Sequence, residues 1–248
     1  MIILKSKSEI EIMREAGRIS KEALLLGGAN VKPGVSTRHL DKLMFDYIKS
    51  QGADPSFLNY GGFPATACIS INDVVIHGIP GGRIIEEGDI VSIDVGAKYK
   101  GYHGDNAATF PAGKVSEEAQ KLMDVTRESL NRGIAQAVVG NRIGDIGHAV
   151  QSYVEENGFA VVRDFVGHGV GSELHEEPEV PNYGKPGRGP RLVPGMVIAI
   201  EPMVNLKGAG VRVLDDEWTT VTLSGSISAH FENTILITEH GPVILTKA

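Results

Sequence analysis

Three segments of this chain recur later in the same order. A helical stretch from Leu40 to Gly52 has a counterpart from Ile146 to Gly158, each closing on glycine. The strand-like run Gly88-Asp-Ile-Val-Ser-Ile-Asp94 has a counterpart in Gly195-Met-Val-Ile-Ala-Ile-Glu201, and His103-Gly-Asp105-Asn106 has one in His230-Phe-Glu232-Asn233. A single match of this kind is within chance. Three in order, two of them setting a carboxylate at the same point of a strand, indicate an internal duplication. The 248 residues then form one catalytic-sized domain over 1–248, with halves of roughly 1–112 and 113–248.

Each half follows the plan helix, helix, strands. Ser8 and Glu11 form a capping-box pattern, after which Ile12, Ala16, Ile19 and Ala23 keep helical spacing as far as Gly27-Gly28. A second helix starts near Thr37 and buries Leu40, Leu43, Met44, Tyr47 and Ile48. A third runs from about Ser116 to Val138, and a fourth carries Ile146, Val150, Tyr153 and Val154. Short β-branched runs bounded by Gly and Pro read as strands. Strands following helices in each half predict an α+β fold with antiparallel pairing.

The acids of the repeat carry the chemistry. Asp94 ends an apolar run, the polar turn Lys98-Tyr99-Lys100-Gly101 follows, and the chain returns through Tyr102 to Phe110. A hairpin turning about Tyr99-Lys100 puts Asp94 directly opposite Asp105. Like charges in that position destabilise a sheet, so at least one group should protonate or the pairing should shift, unless a divalent cation neutralises them. Glu201 repeats the pattern before Pro202, which cannot donate to a ladder, and Glu232 lies in the strand-like Ala-His-Phe-Glu-Asn-Thr-Ile-Leu-Ile. Taken singly, each acid could face water at a strand end. Four at matched places point to a shared cation site.

His168, in Val166-Gly-His-Gly-Val-Gly171, is the histidine assigned to that site, because flanking glycines let a backbone approach and leave the imidazole open. No Gly-Lys-Ser/Thr follows, so the glycines do not form a phosphate loop. Oxygen and imidazole donors without cysteine suit Co, Mn, Fe or Zn as divalent ions. Five side chains exceed what one four-coordinate ion needs, whereas two ions about 3.5–4 Å apart would use them all and activate a bridging hydroxide. The single cysteine, Cys68, permits no internal disulfide and suits a reducing cytoplasm. No run approaches a signal peptide or membrane span. A formal net charge of −7 argues against a general nucleic-acid or anionic-membrane binder.

These residues resemble the bacterial type I methionine aminopeptidases, which have the so-called pita-bread fold. The likeness covers essentially the whole chain. It rests on Ser70-Ile-Asn-Asp-Val-Val-Ile-His77-Gly-Ile-Pro, Gly88 to Gly96, Gly101-Tyr-His-Gly-Asp105, Gly167-His168-Gly-Val-Gly, Leu174-His175-Glu-Glu-Pro, Pro194 to Pro202 and Ala229-His-Phe-Glu232-Asn-Thr. The resemblance implies two pseudo-symmetric halves around a dinuclear metal site that removes N-terminal methionine when the second residue is small. It implies that Asp94 chelates one ion, that His168 and Glu201 hold the other, and that Asp105 and Glu232 bridge both.

Glu201 is the expected general base, and His77 and His175 the expected substrate-contacting histidines. On a straight strand the seven-residue spacing from His168 puts His175 on the opposite side, unless the chain turns between them. Tyr60, Phe63, Cys68 and Trp218 map to the methionine pocket. Phe57 and Leu174 fall at pocket positions where other bacterial members carry Cys and Phe. Asn72, Val74 and Ser228 map to a monovalent-cation loop. The implied partners are peptide or nascent-chain N-termini and the ribosome, with the chain a monomer.

Two other readings compete. A proline-directed aminopeptidase shares the fold and metal set but carries a substantial N-terminal domain, whereas only about thirty residues precede Pro33 here. A non-catalytic binding module of the same fold would have lost ligands. No Gly-x-Ser-x-Gly marks a serine nucleophile.

Overall fold

A computed structural model describes residues 1–248. Four helices are present: α1 (Lys7–Ala29), α2 (Thr37–Ser50), α3 (Glu117–Ala135) and α4 (Ile143–Glu156). In the first part of the chain the strands are β1 (Asp54–Pro55), β2 (Ala67–Ile71), β3 (Val74–Ile76), β4 (Ile90–Tyr99) and β5 (Tyr102–Pro111). After α4 come β6 (Ala160–Val161), β7 (Gly167–Gly169), β8 (Glu176–Val180), β9 (Val197–Ile200) and β10 (Met203–Asn205). The chain finishes with β11 (Val211–Val213), β12 (Thr220–Thr222), β13 (Ser228–His230), β14 (Asn233–Thr238) and β15 (Gly241–Ile244). All strand pairings are antiparallel. No helix is long and apolar enough to cross a membrane.

Three of the four α-helices begin on a serine cap, and that of α1 is shifted from the sequence pattern. The box closing α1 is Ser6 with Glu9, not Ser8 with Glu11: Glu9 N–H donates to the Ser6 hydroxyl, and Ser6 N–H donates to Glu9 Oε2 at 2.7 Å. Both serines have a glutamate three residues on, so local sequence cannot choose. The choice is made by Lys5, whose N–H donates to Gly195 O at 2.8 Å and holds the chain extended up to Ser6. The helix then buries Met13, Ala16, Ile19, Ala23 and Leu24 along one stripe.

Two large apolar clusters divide the interior. Leu40, Met44 and Ile48 of α2 join Ile19, Ala23 and Leu24 of α1 against Ile69, Val91, Ile93 and Val95 of β2 and β4. Leu122 and Leu130 of α3 join Ile146 and Val150 of α4 against Ile198, Ile200, Ile235 and Ile237 of β9 and β14. Full burial of a Leu or Ile side chain contributes about 1.5–3 kcal/mol. The clusters therefore fix each helix pair on its own sheet and leave the sheets to meet between them.

The β4–β5 hairpin turns at Lys100 and Gly101, both at positive φ (46° and 87°), with Tyr99 paired to Tyr102. Such a two-residue turn matches the twist of the strands and favours glycine. It lies one residue later than the sequence reading placed it, so the register moves by two. Asp94 pairs with Ala107, and Asp105 pairs with Gly96. A shift of two keeps the faces, because side chains alternate with period two. The two aspartates are diagonal neighbours on one face rather than directly opposed.

Candidate metal centre and its pocket

At this face β5 is joined to β13 and β14, chiefly by side-chain bonds to backbone. The Thr234 hydroxyl accepts from Asp105 N–H at 3.0 Å and donates to Asp105 O at 2.8 Å. Thr109 does the same for His230, accepting from its N–H and donating to its carbonyl, both at 2.9 Å. Glu232 N–H donates to Ala107 O at 2.9 Å. These bonds satisfy buried backbone groups that no ladder reaches, and they bring Asp105 beside Glu232.

One cavity of about 190 Å³ results, and Asp94, Asp105, His168, Glu201 and Glu232 all line it. Ligand atoms of Asp105, His168 and Glu232 lie within 4.8 Å of one another. His168 Nε2 is 3.5 Å from Glu201 Oε1 and 4.0 Å from Asp105 Oδ2. His168 Nδ1 sits 2.8 Å from Gly169 O, a carbonyl that can only accept. The proton is therefore on Nδ1, and the Nε2 lone pair faces the carboxylates, the arrangement a metal-binding imidazole requires.

Burial raises the pKa of all four carboxyls. For Asp94 the charges of Asp105 and Glu201 add to it, and for Glu232 those of Asp105, Glu201 and Asp94. Burial lowers His168 to about 3. Asp94 Oδ1, Asp105 Oδ1 and Glu232 Oε1 have no hydrogen-bond partner. Buried polar atoms are normally paired, and unpaired carboxylate oxygens converging beside an imidazole lone pair fit a divalent cation.

The other wall of the cavity is apolar. Phe57, Phe63, Cys68 and Leu174 are buried and in contact, with Trp218 packed on them. Phe63 and Trp218 meet edge-on at 5.2 Å. Cys68 is the cross-strand partner of Asp94, so the β2–β4 register itself sets the apolar wall against the acids. His77 and His175 also line the cavity. His77 has φ 59°, a left-handed conformation uncommon for a side-chain-bearing residue, and packs edge-on against Phe165 at 5.6 Å and Trp218 at 6.1 Å. Burial lowers its pKa to about 4. His175 Nδ1 lies 2.8 Å from the hydroxyl of the partly exposed Tyr60.

The imidazoles of His168 and His175 are 4.1 Å apart, so the odd spacing does not separate them. The chain turns after Gly169 and returns as β8, which pairs with β7. Asn72 and Ser228 are also brought together, Ser228 N–H donating to Asn72 O at 2.8 Å, while Val74 opens β3 beside them.

His230 went unassigned in the sequence reading. It is 1 % exposed, and its Nε2 has no hydrogen-bond partner and lies 3.5 Å from Glu201 Oε2. Burial lowers its pKa to about 3. The repeat itself held the signal, since His230 stands two residues before Glu232 as His103 stands two before Asp105. Asn182 was also missed; its Nδ2 donates to the Glu201 carbonyl at 3.1 Å.

The sequence pattern of the family described as Metallopeptidase family M24 matches residues 11–239. The methionine aminopeptidase of Clostridium acetobutylicum is 56% identical over 247 residues, covering 99% of each chain. The crystal structure of methionine aminopeptidase from Thermotoga maritima superposes with a TM-score of 0.99 at 47% identity, covering 100% of both chains. Prolidase from Pyrococcus furiosus superposes with a TM-score of 0.80 at 28% identity, and this chain covers 66% of it.

Proposed function

The chain belongs to metallopeptidase family M24, and on that premise we infer that it is a hydrolase that removes the N-terminal methionine from peptides. The observation that carries this reading is the single cavity in which a buried acid and histidine cluster faces an apolar wall. A methionine side chain and the bond to be cleaved would then lie side by side. Identity of 56% to a methionine aminopeptidase over 247 residues, against 28% to the prolidase, favours this over proline-directed cleavage.

Asp94, Asp105, His168, Glu201 and Glu232 would hold two divalent ions, Co, Mn, Fe or Zn. Such ions, when bound, supply Lewis acidity and lower the pKa of water towards neutrality. The protein's own groups do the rest. Glu201 takes the proton of the attacking water on a carboxylate oxygen and delivers it to the leaving amine. His230, against the other oxygen of Glu201, keeps that carboxylate turned to the cavity. With the Tyr60 hydroxyl donating to His175 Nδ1, His175 Nε2–H is free to donate to the amide oxygen as charge builds there. His77 steadies the amide from the side of Trp218.

Phe57, Tyr60, Phe63, Cys68, Leu174 and Trp218 enclose the methionine side chain, and the narrow cavity admits only a small second residue. Carbonyls around Asn72, Val74 and Ser228 would take a monovalent cation. We read residues 1–248 as one catalytic domain of two duplicated halves, a cytoplasmic monomer that acts on nascent chains at the ribosome.

The test strips the protein with a chelator and restores Co, Mn, Fe or Zn singly under reducing, anaerobic conditions. Methionine should be released from a Met-Ala peptide and far more slowly from Met-Leu. No release with any metal overturns the reading, and preferential cleavage before proline replaces it with the proline-directed one.

A further inference from the structure

Behind the cavity lies the least exposed lysine–carboxylate pair in the molecule. Lys5 Nζ donates to Glu176 Oε2 at 2.6 Å, with the two side chains only 2% and 7% exposed. Neither residue lines the cavity, and the mechanism above uses neither. Glu176, however, directly follows His175 and opens β8.

The pair is built into the turn that presents Leu174 and His175. Glu176 Oε1 accepts from Glu173 N–H at 3.3 Å, so one carboxylate ties the turn to itself and to Lys5. Gly171 starts the turn, donating to Glu173 O at 3.1 Å and accepting from His103 N–H at 2.9 Å. A Cβ at position 171 would fall 2.1 Å from Glu176 Oε1 and 2.6 Å from Lys5 Cε, so a side chain there would evict the pair. Lys5 is anchored in turn: its N–H donates to Gly195 O at 2.8 Å and its ammonium to Ile3 O at 3.0 Å. Gly195 lies just before β9, the strand that leads into Glu201.

A buried ion pair gives little net stability, because desolvation offsets the attraction, but removing one partner strands a buried charge. We propose that Lys5 is a positioning residue for the aminopeptidase reaction: by holding Glu176 it locks the 171–176 turn and so sets His175 against the substrate amide. Lys5 touches neither substrate nor metal ligands. The inference rests on the aminopeptidase reading for the role of His175.

The test compares Lys5→Met, Glu176→Gln and the double variant. Lys5→Met leaves Glu176 charged without a partner, and the turn should reorganise. Glu176→Gln can offer its amide oxygen to Lys5 only by turning its NH2 towards the Glu173 N–H, a clash of donors. Each single variant should lose at least tenfold in kcat on a Met-Ala-Ser peptide while KM rises by a smaller factor, since of the pocket wall Leu174 moves with the turn and Phe57, Phe63 and Trp218 do not. In the double variant the amide oxygen is free to accept from Glu173 N–H, and most of the kcat should return.

NMR of the metal-free protein gives a second readout. The His175 imidazole resonances should shift in both single variants and return in the double variant. Wild-type kcat and resonances in a folded single variant overturn the proposal, as does a loss that the double variant does not recover. If Lys5→Met fails to fold, Glu176→Gln and the double variant decide alone. Wild-type protein that releases no methionine would fault the aminopeptidase reading instead, and the resonances would still decide this one.

Discussion

The two strand pairs that carry the acids solve the same problem with different geometry. Asp94 and Asp105 sit inside an unbroken ladder, two residues out of register on neighbouring strands. Glu201 and Glu232 lie in a gap between ladders. Ile200 pairs with Asn233 on one side and Met203 with His230 on the other, and only the Phe231 N–H to Pro202 O bond at 3.3 Å crosses between. The glutamates thus face each other where the strands are released from pairing, as Pro202 requires. A tight turn fixes the first register. No short turn fixes the second, which is set by two separate ladders. The difference parallels the roles proposed above, the aspartates as ligands and Glu201 as the base.

Replacing Glu201 with Gln tests this division most severely. Turnover of the metal-loaded protein should fall by about 10²–10⁴, the usual contribution of a positioned base, with peptide affinity nearly unchanged in a binding titration. Full activity would remove Glu201 from the proton-transfer role and with it the functional contrast between the pairs.

The matched histidines offer a finer test. His230 stands against Glu201, whereas His103 is bonded through Nδ1 to Ser56 Oγ at 2.8 Å, away from the carboxylates. His230→Ala should weaken divalent-metal affinity by about 10–100-fold, as loss of a residue supporting a ligand does, while His103→Ala leaves it nearly intact. Equal losses in calorimetric titrations would mean the two positions do the same work.

The smallest expected effect is on stability against pH. Burial raises the carboxyls, to about 8 for Asp105 and Glu201, so the folded metal-free chain holds protons that the unfolded chain has released. Stability then falls as pH rises through that window. His168 and His230, lowered to about 3 from 6.5, act in the opposite sense and only below about 6.5. Between pH 6.5 and 8 the Tm of the metal-free protein should therefore drop by several degrees, and a divalent metal should remove the drop. A Tm that rises over this interval without metal would mean that the cluster is not desolvated as described.

The sequence alone carried the four helices, the repeated strands and the five-residue acid and histidine set. These are written in local periodicity and in matched motifs, which need no knowledge of what packs where. It also carried the pocket residues, through resemblance rather than spacing. The hairpin register is local too, since Gly101 accepts the positive φ that the turn needs and so sets the pairing two residues away from a turn about Tyr99-Lys100. Two matters were decided only by tertiary structure. The α1 cap went to Ser6 because Lys5 is tied to Gly195, a contact 190 residues distant in the chain. And the approach of Asp105 to Glu232 depends on Thr109 and Thr234, ordinary strand threonines whose hydroxyls become bridges only once β5 is brought against β13 and β14.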